Sequence, residues 1–166
     1  TASSSYNGQE ANAALQVSTR ANFAGITFMP AAGLAFVHVA QNGVGESGAP
    51  GFNLSVNGNS ANSLRPFVAL TAAKSYTTDN GTVITPEADI AYSYETLGTT
   101  PPSVIQVGGG SFTVPGLMPS RSQLTLGGGI TAQLTDTLAF EAAYHITPPT
   151  GNLLSQTISL GLDYRF

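Results

Sequence analysis

The last thirteen residues, Leu154-Ser-Gln-Thr-Ile158-Ser-Leu160-Gly-Leu162-Asp-Tyr164-Arg-Phe166, decide the fold. Every second residue gives Leu154, Gln156, Ile158, Leu160, Leu162, Tyr164 and Phe166. The intervening set is Ser155, Thr157, Ser159, Gly161, Asp163 and Arg165. A helix groups residues three and four apart, whereas a strand separates odd from even. Strict alternation of this length is a strand signal.

The same period recurs upstream. Leu138, Phe140, Ala142, Tyr144 and Ile146 oppose Thr137, Ala139, Glu141, Ala143 and His145. Leu124, Leu126, Gly128, Ile130 and Ala132 oppose Gln123, Thr125, Gly127, Gly129, Thr131 and Gln133. Ile90, Tyr92 and Tyr94 oppose Glu87, Asp89, Ala91, Ser93 and Glu95; Val68, Leu70 and Ala72 oppose Phe67, Ala69, Thr71 and Ala73. Phe52, Leu54 and Val56 alternate with Asn53, Ser55 and Asn57, and Ala11, Ala13, Leu15 and Val17 with Glu10, Asn12, Ala14, Gln16, Ser18 and Arg20. Only residues 26–39 are apolar on both faces. Turn-forming pairs such as Asn42-Gly43, Asn57-Gly58 and Asn80-Gly81 fall between these segments. The pattern predicts about eight antiparallel strands in a meander, without a helix. Residues 97–119, rich in Gly, Pro, Ser and Thr, read as the longest irregular stretch.

Charge is scarce. The 166 residues hold 5 basic and 9 acidic side chains, or 8% charged, against about 25% in ordinary soluble domains. A basic patch for nucleic acid cannot be assembled from such a set. With no cysteine, disulfides and Cys-based zinc sites are excluded. Thr1–Gln9 is polar and carries no signal peptide, and the chain begins without Met, as a mature or trimmed piece would. Residues 21–45 lack formal charge, but Gly25, Pro30, Gly33, Gln41, Asn42 and Gly43 interrupt them, so a spanning helix is not expected.

The location of the charges is more telling than their number. Glu46, Asp79 and Asp136 fall in connections, and Lys74 lies near a strand end on the apolar face. The other ten, Glu10, Arg20, Arg65, Glu87, Asp89, Glu95, Arg121, Glu141, Asp163 and Arg165, all occupy the polar register. In a soluble sandwich the polar face meets water and would be dense in Lys and Glu. Here it is Ser, Thr, Gly, Ala, Asn and Gln, with one Lys in the whole chain. In a membrane barrel the apolar register meets lipid and the polar register lines the lumen, where sparse opposite charges pair. Crossing the bilayer takes about 9–11 tilted strand residues, which these segments supply. Tyrosines near strand ends fit interfacial girdles. A transmembrane β-barrel is therefore expected, with Arg20, Arg65, Glu87, Asp89, Glu95, Arg121, Glu141, Asp163 and Arg165 lining its lumen.

The ending Ile158-Ser-Leu-Gly-Leu-Asp-Tyr-Arg-Phe166 resembles the terminal strand of bacterial outer-membrane barrels, which closes on Phe. The order of segments resembles the autotransporter β-domain of type V secretion. An apolar-Pro stretch from Gly25 through Pro30 to Phe36 comes first. Glu46-Ser-Gly48, Phe52–Val56, Leu64-Arg-Pro-Phe-Val68, Pro86–Glu95 and Leu124–Leu134 follow in order. The resemblance covers residues 6–166. It implies an outer-membrane location, lipid contact, a passenger domain exported to the cell surface, and no enzymatic activity or cofactor. It also implies that the barrel assembly machinery reads the last strand through Leu160, Leu162, Tyr164 and Phe166. Family members have twelve strands and a helical plug, so residues 1–166 are expected to lack the first strands and the plug. The alternatives are a self-contained eight-stranded porin-like or adhesin-like barrel, and a soluble β-sandwich binding module.

No motif for chemistry competes with this reading. His38 and His145 have no carboxylate at metal-site spacing, and His145 is expected in the lumen or at its rim. Gly45-Glu-Ser47-Gly48 misses the nucleophile elbow by one position. Gly108-Gly-Gly110 and Gly127-Gly-Gly129 lack the Lys of a phosphate loop. Asn53-Leu-Ser55 and Asn80-Gly-Thr82 match a glycosylation acceptor that a bacterial envelope leaves unused. Glu87, Asp89 and Glu95 are expected to pair with Arg65 and Arg121. If Phe166 ends in the periplasm, the connections at Asp136 and residues 79–81 are periplasmic and residues 97–119 and 148–152 external. Residues 40–51 would then make an awkwardly long periplasmic turn.

Overall fold

The computed structural model describes residues 2–98, 102–116, 120–149 and 154–166, and every element in them is β. In chain order these are β1 (Gly8–Ser18), β2 (Ala21–Phe23), β3 (Ile26–Gln41), β4 (Val44–Gly45), β5 (Leu54–Val56), β6 (Asn59–Ala73) and β7 (Tyr76–Thr77). They continue as β8 (Val83–Tyr94), β9 (Ser103–Val107), β10 (Gly110–Val114), β11 (Ser122–Gln133), β12 (Leu138–Thr147) and β13 (Ser155–Tyr164). The main sheet runs β1-β3-β6-β8-β11-β12-β13, with β2 beside β3 and β7 beside β8. A second sheet has the order β10-β9-β5-β4.

Two expectations change here. Residues 52–57 do not form a strand of the main sheet: β5 is three residues long and belongs to the second sheet. Seven long strands therefore make up the main path. Residues 97–119 are not irregular throughout, because they contain the β9–β10 hairpin. Its two-residue turn is Gly108-Gly109, both with positive φ (55° and 80°). That geometry matches the right-handed twist of a hairpin and suits glycine. A similar turn joins β2 to β3 through Ala24 and Gly25 at φ 52° and 76°.

The chain divides into two compact units. One comprises Thr1–Ala14, Ala35–Arg65 and Glu95–Arg121; the other comprises Leu15–Leu34, Pro66–Tyr94 and Ser122–Phe166. In the second unit, antiparallel register keeps like with like across the strands. Leu70 opposes Ile90, Ile90 opposes Leu126, and Leu126 opposes Ile146. The adjacent row is Thr71, Asp89, Gly127, His145 and Thr157. Slipping β8, β12 or β13 by one residue would put Glu87 and Asp89, Glu141 or Asp163 among the apolar side chains.

This sheet has no core of the usual kind. No hydrophobic residue is buried among those described. On β8, Pro86, Ala88, Ile90, Tyr92 and Tyr94 are exposed, while Glu87, Asp89, Ala91 and Ser93 are half-buried. On β6, Pro66, Val68 and Leu70 are exposed, and Phe67, Ala69 and Thr71 are half-buried. The apolar face is thus the more exposed one, inverted from a soluble sheet.

Packing on the polar face is made possible by glycine. A Cβ at Gly33 would meet the end of the Phe67 ring and, at 2.5 Å, the Leu15 carbonyl oxygen. The ring can turn away, but the carbonyl belongs to the β1 backbone and cannot. Gly33→Val is therefore expected to cost about 1–3 kcal/mol from overpacking. It should lower the folded fraction in heat-modifiability gels, with no rescue by Phe67→Ala.

Candidate functional site: the polar face and its anchored carboxylates

The polar face of the second unit carries Glu87, Asp89, Glu141 and His145. Asp89 on β8 and His145 on β12 flank Gly127 of β11 in register. The Asp89 Oδ1 to His145 Nε2 distance is 3.2 Å. The pair spans an intervening strand because Gly127 has no side chain: a Cβ there would strike Asp89 and the His145 ring. Gly129 does the same for Glu87, whose Oε1 lies 3.0 Å from where a Cβ would sit. Glu141 lies over Gly161 of β13. The triplet Gly127-Gly-Gly129 therefore makes room for carboxylates rather than cradling phosphate.

The other carboxylate is Glu95, the first residue after β8, in the first unit. It is 3% exposed and is the only buried polar or charged residue among those described. Its Oε1 accepts backbone N–H bonds from Leu64 (3.0 Å), Leu97 (3.0 Å) and Gly98 (2.8 Å). Its Oε2 accepts a short bond from the Ser63 hydroxyl and a 3.0 Å bond from Arg65 Nε. The backbone joins in: the Glu95 N–H donates to the Arg121 carbonyl at 2.7 Å, and Thr96 donates to the Leu64 carbonyl. Gly98 is required by close approach, since a Cβ would come within 2.7 Å of the Glu95 side chain.

Burial pushes the Glu95 pKa up, but the donors from Ser63, Leu64, Arg65 and Gly98 outweigh it and hold the carboxyl at about 2, below the ordinary 4.5. A carboxylate with its acceptor sites filled is unsuited to proton abstraction. It is a clamp that ties the start of the 95–121 connection to β6.

The sequence-derived residues come together only in part. Arg65 pairs with Glu95 as expected, but Asp89 pairs with His145. Arg121 contributes its carbonyl to the clamp, and no ion pair of its side chain is seen among the described residues. Arg20 lies in the connection after β1, with Nη2 3.8 Å from Met29 Sδ. Asp163 and Arg165 pair with each other at 3.2 Å, both exposed. Leu160, Leu162, Tyr164 and Phe166 are exposed; the first three oppose Ala142, Phe140 and Leu138 of β12. Lys74 sits over the Tyr76 ring, 5.2 Å from its centre. His38 Nδ1 lies 2.7 Å from Asn62 Oδ1. No cluster able to hold a metal occurs among the described residues.

An antiparallel meander of long strands with its apolar residues in one register, on the more exposed face of β6 and β8, and its charges in the other has the pattern of an outer-membrane β-barrel wall. The model of one protein family, the autotransporter beta-domain, matches residues 1–145. The chain belongs to that family, whose members are outer-membrane translocation and anchoring domains of type V secretion rather than catalytic ones. Comparison with curated proteins finds no match.

The depressed Glu95 pKa fixes a pH dependence. Its stabilisation is fully present above pH 4.5 and is lost as pH falls through about 2. Amide exchange at Leu64, Leu97 and Gly98 should stay protected at pH 4 and open near pH 2. Glu95→Gln should weaken the clamp at pH 7 by a few kcal/mol, on the order of 3, and abolish the acid transition.

Proposed function

We propose that this chain forms part of a translocation unit that anchors in the outer membrane and helps an N-terminal passenger reach the cell surface. The observation that supports this best is the inverted alternation, held in register from β6 to β13 in a member of the autotransporter beta-domain family. In this reading the second unit spans the membrane. Val68, Leu70, Ile90, Tyr92, Leu126, Ile130 and Leu160 face lipid. Arg20, Arg65, Glu87, Asp89, Glu95, Arg121, Glu141, Asp163 and Arg165 belong to the lumen and its rims.

The seven-strand path also relieves the strain in the expected sidedness. Connections alternate between the two ends of an antiparallel meander. Residues 42–58 therefore leave the sheet in the same sense as residues 95–121, and β5 pairs with β9 directly. The long connections are external, and residues 19–25, 74–82 and 134–137 are periplasmic together with Phe166. The strands β1 and β13 end the path, and no pairing between them occurs among the described residues. Unpaired backbone is costly in hydrocarbon, so these edges are read as joined to barrel strands other than these seven. That favours the translocation unit over a self-contained barrel.

The terminal strand is the proposed contact for the assembly machinery. Deleting Phe166 should lower the amount of heat-modifiable barrel in isolated outer membranes, and an unchanged amount would refute that role. The face assignment has a sharper test in adjacent residues. Leu70→Arg should destabilise the inserted protein by about 2–4 kcal/mol at the bilayer midplane, while Thr71→Arg should be tolerated. A soluble module would show no such contrast and would stay monomeric without detergent.

A further inference from the structure

We propose that the second sheet carries a binding groove for a neutral carbohydrate. The groove has a volume of about 420 Å³, is open to solvent, and is lined by Asn53, Ser55, Gln106, Val107 and Ser111 with the Gly108–Gly110 backbone. Register creates it. Ser55 of β5 opposes Gln106 of β9, and Gln106 opposes Ser111 of β10. These three side chains therefore form one row across three strands, facing the same way. None makes a side-chain hydrogen bond among the described residues, so their donors and acceptors are uncommitted. Asn53 is the exception and is pre-oriented: its Oδ1 accepts the Ala49 N–H at 2.9 Å, which leaves the NH₂ group to donate.

The chemistry of this row selects a ligand class. Amide and hydroxyl groups both donate and accept, which matches the paired hydroxyls of a sugar ring. The lining holds no charged side chain, and no charge occurs between Glu95 and Arg121. An anionic or cationic ligand would find no counter-charge, and an apolar ligand would strand the row's polar groups without partners. Gly108–Gly110 keep that end of the groove free of side chains.

Such a sugar could belong to the glycan of the same envelope or to a foreign surface, and the chemistry is shared. The test is saturation-transfer NMR on the full chain in an amine-oxide detergent, which carries no sugar headgroup of its own. The probes are maltotriose, chitotriose, sialyllactose, and a dephosphorylated, neutral hexose fragment of the core oligosaccharide released from the bacterium's own outer membrane. The expected result is transfer to at least one neutral probe, with sialyllactose weaker. Gln106→Ala should weaken binding roughly tenfold, the scale of one lost polar contact. Gln106 has no side-chain partner to lose, so the fold should persist, with heat-modifiability as the check. Transfer to the core oligosaccharide alone assigns the site to the same envelope, and transfer to the trisaccharides assigns it to a foreign glycan. No transfer to any neutral probe, equal transfer to sialyllactose, or full retention by Gln106→Ala would overturn the proposal.

Discussion

Everything in this protein depends on lateral backbone pairing. A water-soluble domain is held by the apolar residues it buries, but here no hydrophobic residue is buried among those described. Hydrocarbon offers no partner for a peptide N–H or C=O, so each strand must find its hydrogen bonds in the strand beside it. The unbroken ladder from β6 to β13 meets that demand, and the alternation of side chains follows from it. Once the ladder is fixed, each residue is committed to one face. Selection then acts on two nearly independent lists, one for lipid and one for the polar side.

The polar side is where the sequence spends its few charges. Their geometry rests on glycines placed between them. Gly127 lets a carboxylate and an imidazole meet across a strand, and Gly129 lets Glu87 lie flat. A side chain at either position would push the carboxylates off the wall and into the space in front of it. Glu95 goes further, because burial with five donors shields its charge from solvent. The polar register is thus made mainly of short, neutral groups, with its few charges held flat or paired.

Much of the fold was legible in the sequence, because period-two alternation is a direct consequence of strand geometry and nothing overrides it here. The misreading at residues 52–57 has a physical origin. Phe52, Leu54 and Val56 alternate correctly, but alternation reports a strand and not the sheet it joins. Length was the missing discriminator, since three paired residues cannot cross a bilayer. The β9–β10 hairpin was readable from Gly108-Gly109 between Ile105-Gln-Val107 and Phe112-Thr-Val114. It was masked by the Pro and Thr residues around it. The Glu95 clamp left a fainter trace: a glutamate at a strand end with a glycine three residues on. Its partners Ser63, Leu64 and Arg65 are distant in the chain, and only the β6–β8 register brings them near.

The β12–β13 hairpin has a kinetic consequence. Ten consecutive residue pairs join two strands that are neighbours in sequence, and β11 and β12 extend the same neighbour-to-neighbour pattern. Contacts of this kind close short loops and cost little chain entropy to form. The wall can therefore grow by adding one hairpin arm at a time to an existing edge. The second sheet cannot, because β5 and β9 are separated by the whole of β6 and β8. Its entropy cost falls only after those two strands are locked together. On this entropy argument the second sheet is completed only after β6 and β8 have found their register.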